Sequence, residues 1–368
     1  MALYDAVGFW WDRGSVPREI PRASLERVVF RFRRMLPEYV WDAGVLEGNP
    51  FTFPEVKTLL EGVSIGGRKL SDQEQILNLA ESSKYLMDIV KRQEFRLDKP
   101  TFCALHAIVA RNEALEWGHF RGEGAETRFT PDVALGERGL FTPLPSEPGA
   151  VRLNEVFSEG VRSLEREISN PFERAAAFFL FGSLQQFFFD GNKRTSRFMM
   201  NGLLMSAGID AVSIPAARAR EFNSKMVDFY TTRDATEMMA FVVECHPSAT
   251  EIHDMNPEIP GGANSSYVKH YRIEDPIKQA GPEGGVSEHP AQESGVRATV
   301  ATAEAGDLQS PAFSLEEVRR KAREDWLHKY HGKAEIRNQP EHDRRSKDAD
   351  PGESQSERGP GLEGDLEE

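Results

Sequence analysis

The segment that most constrains the fold is the run from Gln186 to Arg197, which lies between two apolar stretches, residues 175–184 and 198–204. A polar turn flanked in this way predicts a loop held between two buried helices. Asp190 and Gly191 supply turn chemistry, and Gly191 can adopt a positive φ at little cost. We therefore expect successive backbone N–H groups to converge at the start of the second helix and to attract an anion.

Cationic side chains follow the turn at once. Lys193, Arg194 and Arg197 fall in the first turns of the expected helix, and the two arginines share one face because they are three residues apart. A polyphosphate fits this arrangement best. Asp190 would then need a divalent cation, Mg²⁺, between its carboxylate and the phosphates. These residues alone leave a plainer alternative open, a helix N-terminus with a solvated basic face.

The same segment resembles the motif of the Fic (Fido) family, His-x-Phe-x-Asp/Glu-Gly-Asn-Gly/Lys-Arg-x-x-Arg. The positions that match in register are Phe188, Asp190, Gly191, Asn192, Lys193, Arg194 and Arg197. The resemblance implies an ATP site in which Asp190 holds Mg²⁺ and the backbone of residues 191–193 cradles the α- and β-phosphates. It also implies that Arg194 neutralises the β-phosphate and that Arg197 contacts the γ-phosphate.

The first position of the motif departs from the family. Relatives have a histidine there that takes the proton from a target hydroxyl as it attacks the α-phosphate of ATP, and this chain has Gln186. A carboxamide cannot accept a proton near neutral pH, and a general base typically contributes about 10²–10⁴ in rate. We therefore expect slow transfer of AMP to a protein hydroxyl, or none. The rival hypotheses are an inactive, nucleotide-responsive regulatory or antitoxin-like module and a fold used only for assembly.

A second short motif lies at the end of a helix expected over residues 38–48. Taken alone, Glu47 is one exposed acid among many. Beside the first motif, Glu47-Gly48-Asn49 resembles the inhibitory motif of the family, Ser/Thr-x-x-x-Glu-Gly/Asn, with Ala43 in the hydroxyl position. The resemblance implies that Glu47 pairs with Arg197 and occupies the place of the γ-phosphate. A bidentate pair would compete well, although Ala43 removes one positioning hydrogen bond.

The Gly- and Pro-rich stretch from 118 to 148 is too long for a plain connection. It resembles the Fic flap, at about residues 125–146, a β-hairpin that in relatives adds a strand to the target peptide. An unknown protein target is therefore the implied partner. On the preceding helix, His106 lies between apolar residues, and we interpret it as a structural histidine that donates to a carbonyl.

The expected fold is all-α, a Fic/Fido helical core with a short hairpin flap and a disordered tail. Its regions are residues 1–96, which carry the inhibitory segment at about 38–49, a core domain over 97–245, and an acidic tail over 246–368 with a helix at about 314–330. We also expect an irregular arm over residues 1–22, a helix over 25–36 stopped by Pro37, and a capping box at Ser71 that opens a helix to about Lys91.

Charge and composition narrow the function classes. The chain carries a net charge of −14, and residues 251–368 account for −10 of it, so non-specific nucleic-acid binding is disfavoured. Cys103 and Cys245 lack zinc spacing and suggest reduced thiols. No apolar run approaches the roughly 20 residues needed to span a bilayer. We expect a soluble cytoplasmic protein and leave homo-oligomerisation open.

Overall fold

The computed structural model describes residues 3–258, which are mostly helical. Their helices are α1 Leu3–Val7, α2 Leu25–Arg34, α3 Leu36–Leu46, α4 Phe53–Leu60, α5 Leu70–Lys91, α6 Lys99–Val109, α7 Val151–Glu167, α8 Pro171–Gln185, α9 Asn192–Ser206, α10 Ala219–Thr232, α11 Thr236–Glu244 and α12 Ala249–Met255. The strands β1 Val133–Ala134 and β2 Leu140–Phe141 form an antiparallel hairpin in which Val133 lies opposite Phe141. The expected all-α fold with a small hairpin is confirmed.

Helix α8 is the centre of the fold and packs along α9. Asn170 caps its start, since the side chain accepts hydrogen bonds from the backbone N–H groups of Phe172, at 2.9 Å, and Glu173, at 3.3 Å. Pro171 occupies the first turn, where its missing N–H costs nothing. Every residue from Ala175 to Leu184 is buried, as the all-round apolar sequence predicts.

An aromatic cluster lies beneath the loop between α8 and α9. Phe102 of α6 stands at its centre, with ring centroids 4.8 Å from Phe188 and 5.4 Å from Phe178. Other buried members are Phe120, Phe157, Phe181 and Phe187. Aromatic side chains bury large areas and pair in defined tilted or edge-on geometries. The loop therefore packs on a rigid aromatic cluster.

The N-terminal arm is more regular than expected, because residues 3–7 form α1, which packs on α7. Phe9 and Trp11 are buried, and Trp10 is 48% exposed. The backbone of Trp10 instead pairs with the 233–235 segment: its N–H donates to Arg233 O at 3.0 Å, and Ala235 N–H donates to its carbonyl at 2.8 Å.

Three element boundaries differ from the sequence expectations. Helix α2 ends at Arg34, and Pro37 lies in the first turn of α3 instead of stopping α2, because proline is tolerated where no intrahelical N–H bond is lost. Ser71 lies inside α5, whose N-cap is Lys69 and has no side-chain cap bond. Tertiary packing of the apolar face of α5 outweighs the local capping signal there.

Helix α12 falls in the region that the sequence assigned to the tail. Ile252 is fully buried, and the Asn256 side chain accepts from the N–H groups of Arg18 and Glu19 and donates to Glu19 O. Packing of the body therefore continues past residue 245. The expected helix at about 314–330 and the rest of the tail from 259 onward lie outside the described residues. Within residues 3–258, every helix is too short or too polar to cross a membrane.

Candidate active site

The turn that joins α8 to α9 is built on two left-handed residues. Gln186 ends α8 at φ 51°, and Gly191 precedes the first residue of α9 at φ 73°. A side chain at position 191 would place its Cβ 3.2 Å from the Cβ of Ala110, so glycine meets both the conformational and the steric demand. The first N–H groups of α9 have no partner within the helix, as at any helix N-terminus.

His106 holds the turn from below. Its Nδ1 accepts a hydrogen bond from Gly118 N–H at 3.1 Å, so the proton lies on Nε2, which donates to Asp190 O at 2.9 Å. Its ring stacks on Phe188 with centroids 3.6 Å apart. Burial lowers the pKa of His106 to about 3, so the ring is neutral. The structural role expected for His106, donation to a carbonyl, is what the structure contains.

Asn192 closes the loop with its side chain. Its Oδ1 accepts from Phe188 N–H at 2.9 Å, and its Nδ2 donates to Phe188 O at 2.8 Å and to Gln186 Oε1 at 3.0 Å. The side chain is buried and turned inward. Asn192 can therefore offer a phosphate only its backbone N–H, while its amide keeps the loop in shape.

Gln186 is also fully engaged. Its Nε2 donates to Ser183 O at 2.6 Å and lies 3.3 Å from Tyr230 Oη, and its Oε1 accepts from Asn192. The Tyr230 hydroxyl itself donates to Ser183 O at 2.8 Å. Burial raises the pKa of Tyr230, so this phenol stays protonated at neutral pH. Position 186 thus carries a locked, non-basic side chain.

Glu47 reaches the basic cluster from the end of α3. Its Oε1 lies 3.3 Å from Arg197 Nη2, and its Oε2 lies 3.8 Å from Lys193 Nζ. The carboxylate thus bridges two cations by single, long contacts and does not form a two-bond fork with Arg197. Burial alone would raise the pKa of Glu47, but the charges of Lys193, Arg197 and Arg194 outweigh it and lower the pKa to about 2.

Helix α3 is fixed so that its end points at this cluster. Gly48, at φ 79°, and Asn49 close the helix through N–H bonds to Val45 O and Gly44 O, both 3.0 Å, the pattern of a Schellman motif. Along the helix, the Asp42 carboxylate accepts from Ser213 Oγ and from Ala216 N–H, both at 2.8 Å. The position of Glu47 is therefore set by the body of the protein.

Arg194 has a partner that sequence reasoning missed. Its Nη1 donates to Glu113 Oε2 at 2.6 Å, and its Nη2 lies 3.7 Å from Asp190 Oδ1. Arg194 is buried, at 3% exposure, and burial would lower its pKa, but the charges of Glu113, Asp190 and Glu47 raise it. Glu113 lies in a turn after α6 and belongs to no motif, so only the folded contact reveals it.

Asp190 is the site's exposed carboxylate. Its side chain is 52% exposed, and its Oδ1 accepts from Gly191 N–H at 2.6 Å. Among residues 3–258, no cluster of three or more His, Cys, Asp and Glu side chains could hold a metal ion by itself. Where phosphates are also present, a single exposed carboxylate suits Mg²⁺, which usually keeps several waters and binds one or two carboxylates together with substrate phosphates.

The hairpin is tied to the loop by a second residue that sequence reasoning missed. Arg121 is fully buried, and its guanidinium donates to Gln186 O at 2.6 Å, to Ser146 Oγ at 2.8 Å and to Leu144 O. Its three partners are uncharged oxygens, and burial lowers its pKa to about 10. The base of the hairpin is thereby fixed to the carbonyl of position 186.

Comparison with known proteins shows that part of the chain, including the loop between α8 and α9, matches a known protein family. Residues 96–204 match the model of the Fic/DOC family. The protein adenylyltransferase Fic of Drosophila grimshawi is 24% identical over 264 residues, which cover 67% of this chain and 50% of the relative. The protein adenylyltransferase fic-1 of Caenorhabditis elegans is 24% identical over 201 residues, 53% of this chain and 37% of the relative.

The chain thus spans about half the length, or less, of these curated relatives. Among solved structures, a Fic domain containing signalling protein from Bacteroides thetaiotaomicron shares the fold with a TM-score of 0.50 at 17% identity, over 71% of this chain and 97% of that one. The loop between α8 and α9 lies inside the matched region. We conclude that the chain contains, over residues 96–204, a domain of the Fic/DOC family.

Proposed function

We propose that this protein binds Mg-ATP at the start of α9 and belongs to the class that transfers AMP from ATP to a protein hydroxyl. The observation that carries the proposal is the convergence, at one helix N-terminus, of the Asp190 carboxylate and the guanidinium groups of Arg194 and Arg197. The curated relatives are named protein adenylyltransferases, which supports the same reaction class.

In this proposal, each group acts on the polyphosphate by position and charge, which is most of what catalysis of phosphoryl-type transfers requires. The backbone N–H groups of residues 191–193 bind phosphate oxygens, that of Gly191 after it leaves the Asp190 carboxylate. Arg194 neutralises the β-phosphate, and Arg197 contacts the γ-phosphate. Asp190 would hold Mg²⁺, which supplies charge neutralisation between carboxylate and phosphates when it is bound.

Glu47 is proposed to inhibit the protein from within. Its carboxylate is anionic at neutral pH and lies against Arg197 and Lys193, the groups that a γ-phosphate would use. A phosphate can replace it because both contacts are long and neither is bidentate. The absence of a hydroxyl at Ala43 is consistent with this loose attachment.

Gln186 is proposed to impair the chemical step. The carboxamide donates and accepts within the loop, both ring nitrogens of His106 are occupied, and Tyr230 stays protonated. These observations favour slow transfer and keep the inactive, nucleotide-responsive module as the second candidate. Turnover with α-labelled ATP separates the two, since only a transferase leaves labelled AMP on protein.

We further propose that residues 1–96 regulate the core domain that begins at about residue 97, and that the hairpin within residues 125–146 receives the protein target. Leu140 on β2 is 61% exposed, so the hairpin offers an apolar side chain to a partner. Target identity would then be set by backbone pairing of an added strand and by side-chain pockets.

The nucleotide site is tested by calorimetry with Mg-ATP on Asp190→Ala and Arg194→Ala, each in the native chain and in a Glu47→Gly background. Loss of a charge-assisted bond to phosphate should cost on the order of 1.5–3 kcal/mol, which is about tenfold or more in affinity. Arg31→Ala is a matched control, because it removes an arginine–carboxylate contact with Asp210, at 2.6 Å, beyond the C-terminal end of α9. Equal affinities in all variants would refute the site.

A further inference from the structure

A chain of hydrogen bonds connects the end of α3 to Arg194 without passing through Glu47. Asn49 Nδ2 donates to Gln75 Oε1 at 2.9 Å, and Gln75 Nε2 donates to Glu113 Oε2 at 2.9 Å. The same Glu113 oxygen accepts from Arg194 Nη1 at 2.6 Å. Three elements, the loop after α3, the first turns of α5 and the turn after α6, therefore meet at one guanidinium.

The contact between Glu113 and Arg194 is not an ordinary surface ion pair. The side chains are 14% and 3% exposed, respectively, and the other Glu113 oxygen, Oε1, is buried without a partner. Exposed pairs contribute little because water screens them, whereas a buried charge-assisted bond holds its groups in a fixed geometry. Glu113 therefore constrains the guanidinium of Arg194 strongly.

The constraint falls on one side of the guanidinium. Glu113 accepts a hydrogen bond from Nη1 of Arg194. Nη2 lies 3.7 Å from Asp190 Oδ1, which is beyond hydrogen-bond distance, and Nε is buried without a partner. An arginine has five N–H donors in a rigid planar fork, so fixing one nitrogen fixes the direction of the others. Arg194 is thus held by Glu113 with donors left over on the side that faces Asp190.

We propose that Glu113 is a positioning residue that orients Arg194 toward the β-phosphate, and that Gln75 and Asn49 couple this orientation to the end of α3. The proposal rests on the proposed nucleotide site. It adds a second connection between α3 and the phosphates, one that persists when Glu47 is removed. Groups that orient a ligand-binding side chain by a hydrogen bond commonly tune its affinity, although they never touch the ligand.

The test compares Glu113→Leu with Glu113→Gln, both in the Glu47→Gly background, by calorimetry with Mg-ADP and with AMP. Glu113→Leu removes the acceptor, and we expect Mg-ADP affinity to fall about tenfold while AMP affinity stays unchanged, because AMP has no β-phosphate. Glu113→Gln keeps an oxygen acceptor for Nη1 and should restore Mg-ADP affinity to within about threefold. Unchanged or tighter Mg-ADP binding in Glu113→Leu would overturn the proposal.

Two further variants separate orientation from general loosening of the turn. Gln75→Leu breaks the series of hydrogen bonds between Asn49 and Glu113 but keeps Glu113 itself. It should lower Mg-ADP affinity less than Glu113→Leu does and again leave AMP affinity unchanged. Glu81→Leu removes the acceptor of the bonds that Arg111 donates to Glu81 between the same turn and α5, and it should leave Mg-ADP affinity unchanged. An equal loss in Glu81→Leu would show that any damage to this turn has the same effect and would refute a specific role for Glu113.

An NMR measurement distinguishes failure of this proposal from failure of the nucleotide site. Absence of Mg-ADP and Mg-ATP binding in both the native chain and Glu47→Gly would refute the nucleotide site. The orientation of Arg194 can still be observed through its Nη–H resonances, which separate when rotation about the Nε–Cζ bond is hindered. We expect separate resonances in the native chain and in Glu113→Gln and averaged ones in Glu113→Leu; the same spectrum in all three would contradict the positioning role.

Discussion

Gln186 illustrates how one residue can be foreseen in the sequence while its surroundings cannot. The resemblance to the Fic motif identifies position 186 from the sequence alone as the place where relatives have a histidine and this chain has a glutamine. The structure adds that the carboxamide is held by Ser183 O, Tyr230 and Asn192. A histidine placed there meets the same neighbours and has two ring nitrogens with which to satisfy them, so the position itself can accommodate a base.

Gln186→His and Glu47→Gly should act non-additively in AMP transfer. Glu47→Gly frees Arg197 and aligns ATP but leaves no base, whereas Gln186→His supplies a base to a misaligned nucleotide. Each single variant should therefore label protein only weakly, and the double variant should label it far more strongly, because residues that act as one catalytic unit do not contribute separately. Labelling is measured with α-labelled ATP on the protein itself and on an added bystander protein.

His119→Gln is the control for this experiment. His119 lies between α6 and the hairpin, and its replacement should leave the AMP labelling unchanged. If the native chain already labels as fast as the double variant, another group is the base and Gln186 is not disabling. If the double variant binds Mg-ATP and labels nothing, the inactive, nucleotide-responsive module becomes the favoured function.

The contact between Arg194 and Glu113 could not be predicted from the sequence. The motif placed Arg194 and Arg197 on one helix face, and periodicity predicted that helix well. Its partner Glu113 lies on a separate turn and has no distinguishing neighbours in the chain. Such a contact depends on how α5, α6 and α9 pack, and packing is a property of the whole fold that no local pattern encodes.

Among the helices, the sequence was most accurate where capping and apolar patterning agree. Asn170 caps the start of α8 and Asp98 that of α6, and each side chain accepts a hydrogen bond from a backbone N–H of the first turn. It was less accurate where a strong local signal competes with packing, as at Ser71 within α5. The hairpin was expected from the resemblance of the Gly- and Pro-rich stretch to the Fic flap, but its anchor, Arg121, was not foreseen.

Arg121→Leu should loosen the hairpin while the helices stay folded. The change removes three bonds that tie Leu144, Ser146 and the carbonyl of residue 186 together, and it leaves those oxygens to find water. Limited proteolysis should then cut within residues 125–146 severalfold faster than in the native chain. The far-UV circular dichroism spectrum should not change.

Arg138→Leu is the matched control for that experiment. Arg138 also lies in the hairpin region and binds Asp228 at 2.6 Å, but both side chains are about half exposed, and exposed pairs contribute little. Its proteolysis rate should equal that of the native chain. Equal rates in Arg121→Leu and the native chain would mean that β-pairing and the contact between Phe141 and Tyr230 hold the hairpin without Arg121.

For the molecule as a whole, the two histidines that are buried among residues 3–258 predict how stability depends on pH. Burial lowers the pKa of His106 to about 3 and that of His246 to about 4, from an ordinary value of 6.5. Between about pH 4 and 6.5, the unfolded chain therefore binds more protons than the folded protein. The free energy of unfolding must then rise with pH across this window and fall as pH drops below 6.5.

The expected slope is up to about 1.4 kcal/mol per pH unit for each histidine, since one pKa unit corresponds to that free energy. Urea denaturation at pH values from 5.0 to 7.5 measures it. His246→Leu removes one of the two groups without touching the α8–α9 loop, so the slope between pH 5 and 6 should fall by about 1.4 kcal/mol per unit. An identical slope in the native chain and in His246→Leu would mean that His246 is protonated in the folded protein, contrary to its burial.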